Sequence, residues 1–441
     1  RTSISRQGDE LTMESFLEFL SFENPNVRFV TAGMLLLGIS SGVTGVFAFL
    51  RKRTLVGDAV AHSVLPGVCL AFMLTGTKNF AALLTGAALT GWLSLVMIDV
   101  ITSKSRIPAD AAIGLVLSVF FGAGILLLTS IQKSGVAAQA GLDKFLFGNA
   151  ASLIQSDIIT FGILCLAILV VVWLLYKEFK VISFDRDYAR VIGLPVRPLE
   201  TVMATLTVLS ITVGIQAVGV VLMAAMLITP AAAAHYWTND LRKMLGFASL
   251  VGALAGFAGA YISYTAPGMP TGPWVIVVVS VMAFASMLLA PKGWLTQMLY
   301  IRRNRRKILQ ENILKLFYHL AEQEHDFEKP RNSGELLSRR KIPQNDLQSG
   351  IKALRKKRML QPEGAGWRLT DAGRKEAQRI VRIHRLWELY LNTYLKIAPD
   401  HVHEDAEAIE HVITPEIEAR LEKLLQHPGT DPHRKDIPYV Q

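Results

Sequence analysis

Between residues 27 and 289 the chain is apolar almost without interruption, in runs of about the 20 residues that an α-helix needs to cross a bilayer. Nine candidate passes can be marked: 27–50, 55–74, 80–101, 112–131, 153–176, 199–215, 218–235, 244–264 and 274–289. The sixth and seventh form one run too long for a single crossing, and Gly214 and Gly219 are expected to mark a tight reversal there. From residue 301 onward charged residues crowd together and no run is long enough to span, so a soluble tail follows the membrane domain. At 51% hydrophobic and 19% charged residues, a purely soluble or disordered chain is excluded, and 441 residues suffice for two or three domains. Cys69 and Cys165 lie in different apolar runs and form neither a disulfide framework nor a C-x-x-C metal site. No Met opens the sequence and no signal-peptide pattern precedes Val27, from which a trimmed or processed start is expected.

Lys and Arg collect on cytoplasmic loops, which sets an expected orientation. The first loop holds Arg51, Lys52 and Arg53, the third Lys104 and Arg106, the fifth Lys177, Lys180, Arg186, Arg190 and Arg197, and the seventh Arg242 and Lys243. The even-numbered loops hold only Lys78, Lys133 and Lys144. Nine passes then place the N-terminus outside and the tail, which starts with Arg302, Arg303, Arg305, Arg306 and Lys307, in the cytosol. An eight-pass count would put basic loops and basic tail on opposite sides.

The second pass reads Leu55-Val-Gly-Asp-Ala-Val-Ala-His-Ser-Val-Leu-Pro-Gly67, with Asp58 and His62 four apart on one helical face. Ionisable groups inside a membrane are expensive, so they point to function, and a carboxylate with an imidazole suits a divalent transition metal. Pro66 has no N–H, so it leaves the His62 carbonyl without its helical partner and adds an oxygen beside the pair. The alternative is a buried hydrogen bond that only ties helices together. Two side chains are too few for a metal cage, so a site needs other helices or a second copy across a dimer axis.

Phe184-Asp-Arg-Asp-Tyr-Ala-Arg-Val-Ile-Gly-Leu-Pro195, on the cytosolic side, suits a short charged helix stopped by Gly193 and Pro195. It fits docking of a partner as well as a solvated loop. No G-x-x-x-x-G-K-[ST] occurs anywhere, so an ATP-driven process needs its motor on another subunit. No Ser/His/Asp or Cys/His arrangement supports an enzyme.

Arg51 to Gly67, as Arg51-Lys-Arg-Thr-Leu-Val-Gly-Asp-Ala-Val-Ala-His-Ser-Val-Leu-Pro-Gly67, resembles the signature of permease subunits of the zinc/manganese/iron ABC importers. Ala109-Asp-Ala-Ala-Ile-Gly114, Leu146-Phe-Gly148, Leu227-Ile-Thr-Pro-Ala-Ala232 and Pro270-Thr-Gly-Pro273 follow in that family's order. The resemblance, over about residues 27–290, implies a homodimer or a heterodimer of related permeases. It also implies two ATPase subunits and an extracytoplasmic metal-binding solute-binding protein. It makes Asp58 and His62 the metal-pathway pair, and the stretch with Asp187, Tyr188, Ala189, Arg190 and Gly193 the ATPase-coupling segment.

Residues 301–358 hold sixteen Lys/Arg against seven Asp/Glu, a balance that attracts polyanions or anionic lipid. A helical stripe at Ile313, Leu314, Leu316, Phe317 and Leu320 is followed by a short helix over 334–341, a basic helix over 343–360 and a hairpin around Gly364 and Gly366. That order makes a winged helix whose recognition helix carries Lys352, Arg355, Lys356 and Arg358. Further on, His384 and Glu388 share a face at i, i+4, and Glu407, Glu410 and His411 another at i, i+3, i+4, three N/O ligands on one helix.

Arg382-Ile-His-Arg-Leu-Trp-Glu-Leu389, Val402-His-Glu-Asp-Ala-Glu-Ala-Ile-Glu-His-Val412 and His427-Pro-Gly-Thr-Asp-Pro-His433 make the segment at about 308–438 similar to metal-responsive regulators of the diphtheria-toxin-repressor type. The resemblance implies one ligand group of His384, Glu388 and His403 and another of Glu407, Glu410 and His411. The family takes further ligands from the first winged-helix helix, where this chain has Asn312 and Lys315, and a lysine is a poor ligand. The terminal SH3-like domain of longer members is absent from the segment.

The expected organisation is an extracytoplasmic segment (1–26), an all-α polytopic membrane domain (27–290), a basic linker (291–307), a winged-helix α+β domain (308–380) and a helical metal-binding and dimerisation domain (381–441). The leading functional expectation is the bacterial inner-membrane permease subunit of an ATP-driven importer of Mn, Zn or Fe ions, with a metal-sensing cytosolic tail. The rival expectation is a membrane-tethered or proteolytically released metal-dependent regulator acting on DNA.

Overall fold

The computed structural model describes residues 17–77, 79–133, 148, 150–265, 269–340, 342–396 and 413–439. The chain divides into two compact units, Arg1–Thr296 and Gln297–Gln441.

The first unit is helical: α1 (Pro25–Leu50), α2 (Thr54–Ser63), α3 (Leu65–Thr75), α4 (Phe80–Lys104), α5 (Ala109–Lys133), α6 (Gln155–Leu174), α7 (Tyr176–Phe184), α8 (Arg186–Val191), α9 (Val196–Val218), α10 (Val220–His235), α11 (Leu241–Thr265) and α12 (Thr271–Leu289). Helices that are apolar all round satisfy every backbone group internally, which lipid demands. Their ends are set by polar caps. Asn24 accepts from the Asn26 amide at 2.9 Å with Pro25 at the first helical position, and Asn79 accepts from Ala81 at 3.0 Å. The core gathers Met34, Leu37, Val60, Val64, Leu65, Ile211, Val218, Met223 and Leu227 around α1 and α10. α1 lies so close to α11 that a Cβ on Gly42 would stand 2.6 Å from the Ala248 carbonyl oxygen, an approach that small residues permit.

Each of the nine expected passes coincides with helix. Among the described residues, eight helical stretches are long and apolar enough to cross a membrane. The seventh expected pass, α10, has 16 residues, about 24 Å of helix against a ~30 Å hydrocarbon core. Gly214 lies inside α9, and the break falls at Gly219 alone, whose φ of 92° favours glycine. The expected two-glycine reversal is thus a one-residue interruption. The second pass is divided as Pro66 requires: α2 stops at Ser63, and α3 resumes with Pro66 in its first turn.

The second unit continues α13 (Trp294–Glu324), with α14 (Ser333–Arg339), α15 (Gln344–Lys356), strands β1 (Leu360–Glu363) and β2 (Gly366–Leu369), α16 (Asp371–Tyr394) and α17 (Pro415–Leu424). The unit boundary falls within α13, so most of the expected 291–307 linker is helix, and α16 runs through the expected 380/381 boundary. β1 and β2 pair antiparallel from Leu360 with Leu369 to Glu363 with Gly366, and Arg331 bridges to Trp367. Leu314, Phe317, Leu336, Leu347, Leu354, Leu360 and Val381 form the core beneath this wing. The basic helix is shorter than its sequence suggests. It ends at Lys356, Arg358 turns the chain at φ 57°, and Thr370 fixes that turn by donating to the Arg358 carbonyl at 2.7 Å while capping α16.

Candidate functional site

Asp58 and His62 sit on α2 with Oδ1 and Nε2 3.5 Å apart. The His62 ring is held edge-on by Phe121 of α5, at 4.9 Å between centroids. Its Nδ1 is buried and has no hydrogen-bond partner among the described residues. The Asp58 side chain is 41% exposed. Flanking Gly57, Ala59, Val60 and Ala61 are buried, so the helix is packed on every side except the one that shows the carboxylate. The pair thus lies at the outer limit of hydrogen-bonding distance with its carboxylate partly open, and it is not a complete cage.

In the same unit, the Asp185 carboxylate caps α8 by accepting from the Tyr188 amide at 2.9 Å. Ala189 is fully buried beneath the helix, and Arg190 pairs with Asp187 at 3.0 Å. Gly193 ends the turn at φ 81°, the left-handed geometry expected of it. Phe184, Tyr188, Val191 and Ile192 all face outward, Val191 with 84% of its surface exposed. The 184–193 segment, seated on one alanine of α8, shows four large apolar side chains beside charges, two of them on the helix and two flanking it, the make-up of a docking knob. Sequence reasoning missed what anchors it. Glu200, near the start of α9, binds Arg51 at 2.5 Å and Arg186 at 2.7 Å, and so joins the end of α1 to α8. The signal was a lone acid flanking a basic loop. Burial, with Arg53 nearby, lowers the Arg51 pKa, which Glu200 partly offsets.

In the tail, His384 and Glu388 meet as their spacing requires, Nε2 to Oε1 at 3.1 Å with both side chains 3% exposed. Lys315 reaches them from α13, its Nζ 3.0 Å from His384 Nδ1. These three are not limited to those partners. They line a cavity of about 330 Å³ with Arg339, Arg340 and Lys435. Beside it Arg385 binds the Glu322 carboxylate at 2.6 Å. Burial works against that carboxylate, and the hydrogen bonds from Arg385, with His319 3.7 Å away, overcome it, holding its pKa at about 2. Burial pushes the His319 pKa down despite Glu322.

His403, Glu407, Glu410 and His411 lie outside the described residues. Asn312 accepts from Arg340 at 3.4 Å. Among the described residues no three His, Cys, Asp or Glu are placed to hold a metal, and the Lys315 ammonium stands at His384 Nδ1. Lys352, Arg355 and Lys356 are exposed on α15. Arg358 is exposed too, but in the turn after that helix rather than on it.

Residues 24–290 match the ABC 3 transport family, and residues 370–439 match the iron dependent repressor, metal binding and dimerisation domain. A relative in Bacillus subtilis, the manganese transport system membrane protein MntC, is 40% identical over 438 residues, covering 95% of each chain. The zinc transport system membrane protein TroC of Treponema pallidum is 42% identical over 290 residues, which are 66% of this chain and 97% of that one. Among solved structures, PsaBC from Streptococcus pneumoniae in complex with Fab superposes with a TM-score of 0.58 at 32% identity, over 65% of this chain and 99% of that chain.

Proposed function

The chain belongs to the ABC 3 transport family, and on that premise we propose that Asp58 and His62 line the path by which a divalent metal, Mn, Zn or Fe, enters the cell. It is a multi-pass membrane permease of a metal ABC transporter with a repressor-type domain at its C-terminus. The observation that carries the pathway reading is the 41% exposure of Asp58 on an apolar spanning helix. A carboxylate so placed does not face hydrocarbon; it faces water or a second permease. A dimer, of this chain or with a related permease, brings two such faces to one axis and supplies the ligands that one copy lacks.

The α8 knob docks an ABC ATPase subunit, because the chain has no phosphate-binding loop of its own and the knob shows an apolar surface on a rigid seat. The basic odd-numbered loops support a reading with nine passes, the N-terminus outside, the knob and the tail in the cytosol at a bacterial inner membrane, and an extracytoplasmic solute-binding protein delivering the ion. In the tail, the residues assigned to sensing metal are His384, Glu388 and His403 as one group and Glu407, Glu410 and His411 as another, and Lys352, Arg355, Lys356 and Arg358 are assigned to an anionic partner surface, of which DNA is one form.

Elemental analysis of cells expressing the chain with its ATPase and binding protein tests the reading. Accumulated Mn, Zn or Fe is expected to rise with the chain and to return to background with Asp58→Asn and His62→Ala at equal membrane abundance. Normal accumulation by the double variant overturns it.

A further inference from the structure

Lys315 is buried at 3% exposure, and its ammonium lies 3.0 Å from Nδ1 of His384. Lysine offers only donors, so Nδ1 is the acceptor, and the ring proton lies on Nε2, which donates to Glu388 at 3.1 Å. The row Lys315⁺, neutral His384, Glu388⁻ runs from α13 to α16. A neutral imidazole nitrogen has one lone pair, and a metal bonds it at about 2.0–2.1 Å. An ammonium already on that lone pair and a divalent ion cannot share the position, because like charges this close in a buried pocket repel strongly. Among the described residues, Arg339, Arg340 and Lys435 line the same cavity together with the carboxylates of Glu388 and Asp431.

We infer that the Lys315 ammonium is a tethered cation standing where an ion on His384 and Glu388 would stand, so that this half of the tail is closed to metal and its two helices stay joined without it. The inference deepens the sensing reading and rests on it for the kind of ion being kept out. Metal sensing is thereby confined to the Glu407, Glu410 and His411 group.

The test is calorimetric titration of the full-length chain in detergent with Mn²⁺ and with Zn²⁺. Differences between variants cancel whatever the membrane unit binds. His384→Ala is expected to change neither stoichiometry nor affinity while Lys315 is present, and Lys315→Arg to behave as the parent. Lys315→Met is expected to gain one site per chain, at least tenfold tighter than any His384-dependent binding in the parent, and Lys315→Met with His384→Ala to lose it. Loss of a site in His384→Ala alone overturns the inference, and that comparison leaves Lys315 untouched should its replacement misfold. A folded Lys315→Met that gains nothing overturns it too. Glu407→Ala with His411→Ala tests the sensing reading separately. A parent tail that binds no metal, with a site gained in Lys315→Met, sinks sensing and supports the tethered cation.

Discussion

Among the described residues two helices, α2 and α16, carry the same signal, a carboxylate and a histidine at i, i+4, and the two come out differently. In α2 the pair is 3.5 Å apart, Asp58 is half open, and a histidine nitrogen is buried without a partner among the described residues. In α16 the pair is 3.1 Å apart, buried, and closed by an ammonium from 69 positions upstream. Spacing along a helix decides which side chains share a face. Whether that face is left to receive an ion depends on what a distant element puts against it.

The largest expected effect breaks the comparison at its open end. Asp58→Asn with His62→Ala should lower metal uptake roughly a hundredfold, since losing ligands costs at least what losing their supports does. A chain stopped after residue 296 should still take up metal. Its uptake without the tail, measured by elemental analysis, is the control that separates the two units, and TroC shows that a relative spans only the membrane region.

The next effect belongs to the closed end. Glu322 has a folded pKa of about 2 against an ordinary value of 4.5, so its contribution is fully present above 4.5 and is lost as pH falls from there through 2. The shift corresponds to roughly 3 kcal/mol, reduced to on the order of 2 because the side chain is 31% exposed. The tail's calorimetric melting transition should fall between pH 6 and pH 3.5, and Glu322→Gln should remove most of that dependence. An unchanged acid slope in the variant counts against this ion pair.

Gly193→Val should follow at about tenfold in permease-stimulated ATP hydrolysis, because φ 81° strains a β-branched residue by roughly 1–2 kcal/mol. Wild-type stimulation would remove the docking assignment. The smallest effect sharpens the picture of the tail surface. Arg355→Ala should reduce the salt slope of polyanion binding by about one unit in a log–log plot, and no change would place that residue outside the contact.

Length and hydropathy made the helices legible, and turn chemistry did the same for Pro66, Gly193 and the wing, because each of these is a local property of the chain. The limits appeared where a local pattern met a distant partner. The basic helix read too long because Leu360 continues its apolar stripe, yet Leu360 pairs with Leu369 and the left-handed Arg358 ends the helix first. Asp58 and His62 could be placed on one face, but the packing of Phe121 against the ring was not written in their own segment. Lys315 could be marked as an odd residue at a ligand position, whereas its bond to His384 needs α13 and α16 to be packed. Glu200 gave no motif at all, since its meaning lies in two arginines 149 and 14 positions away.

That carboxylate has a mechanical consequence. One oxygen of Glu200 grips Arg51 and the other grips Arg186, which makes the residue a pivot between the docking knob and the end of α1. Ion pairs of this length resist being pulled apart but allow swivelling about the guanidinium groups. When α8 is pushed, the tug reaches Arg51, and Asp58 is only seven residues further along the chain. Glu200 thus ties the segment that carries α8 to the loop from which α2, with Asp58, begins.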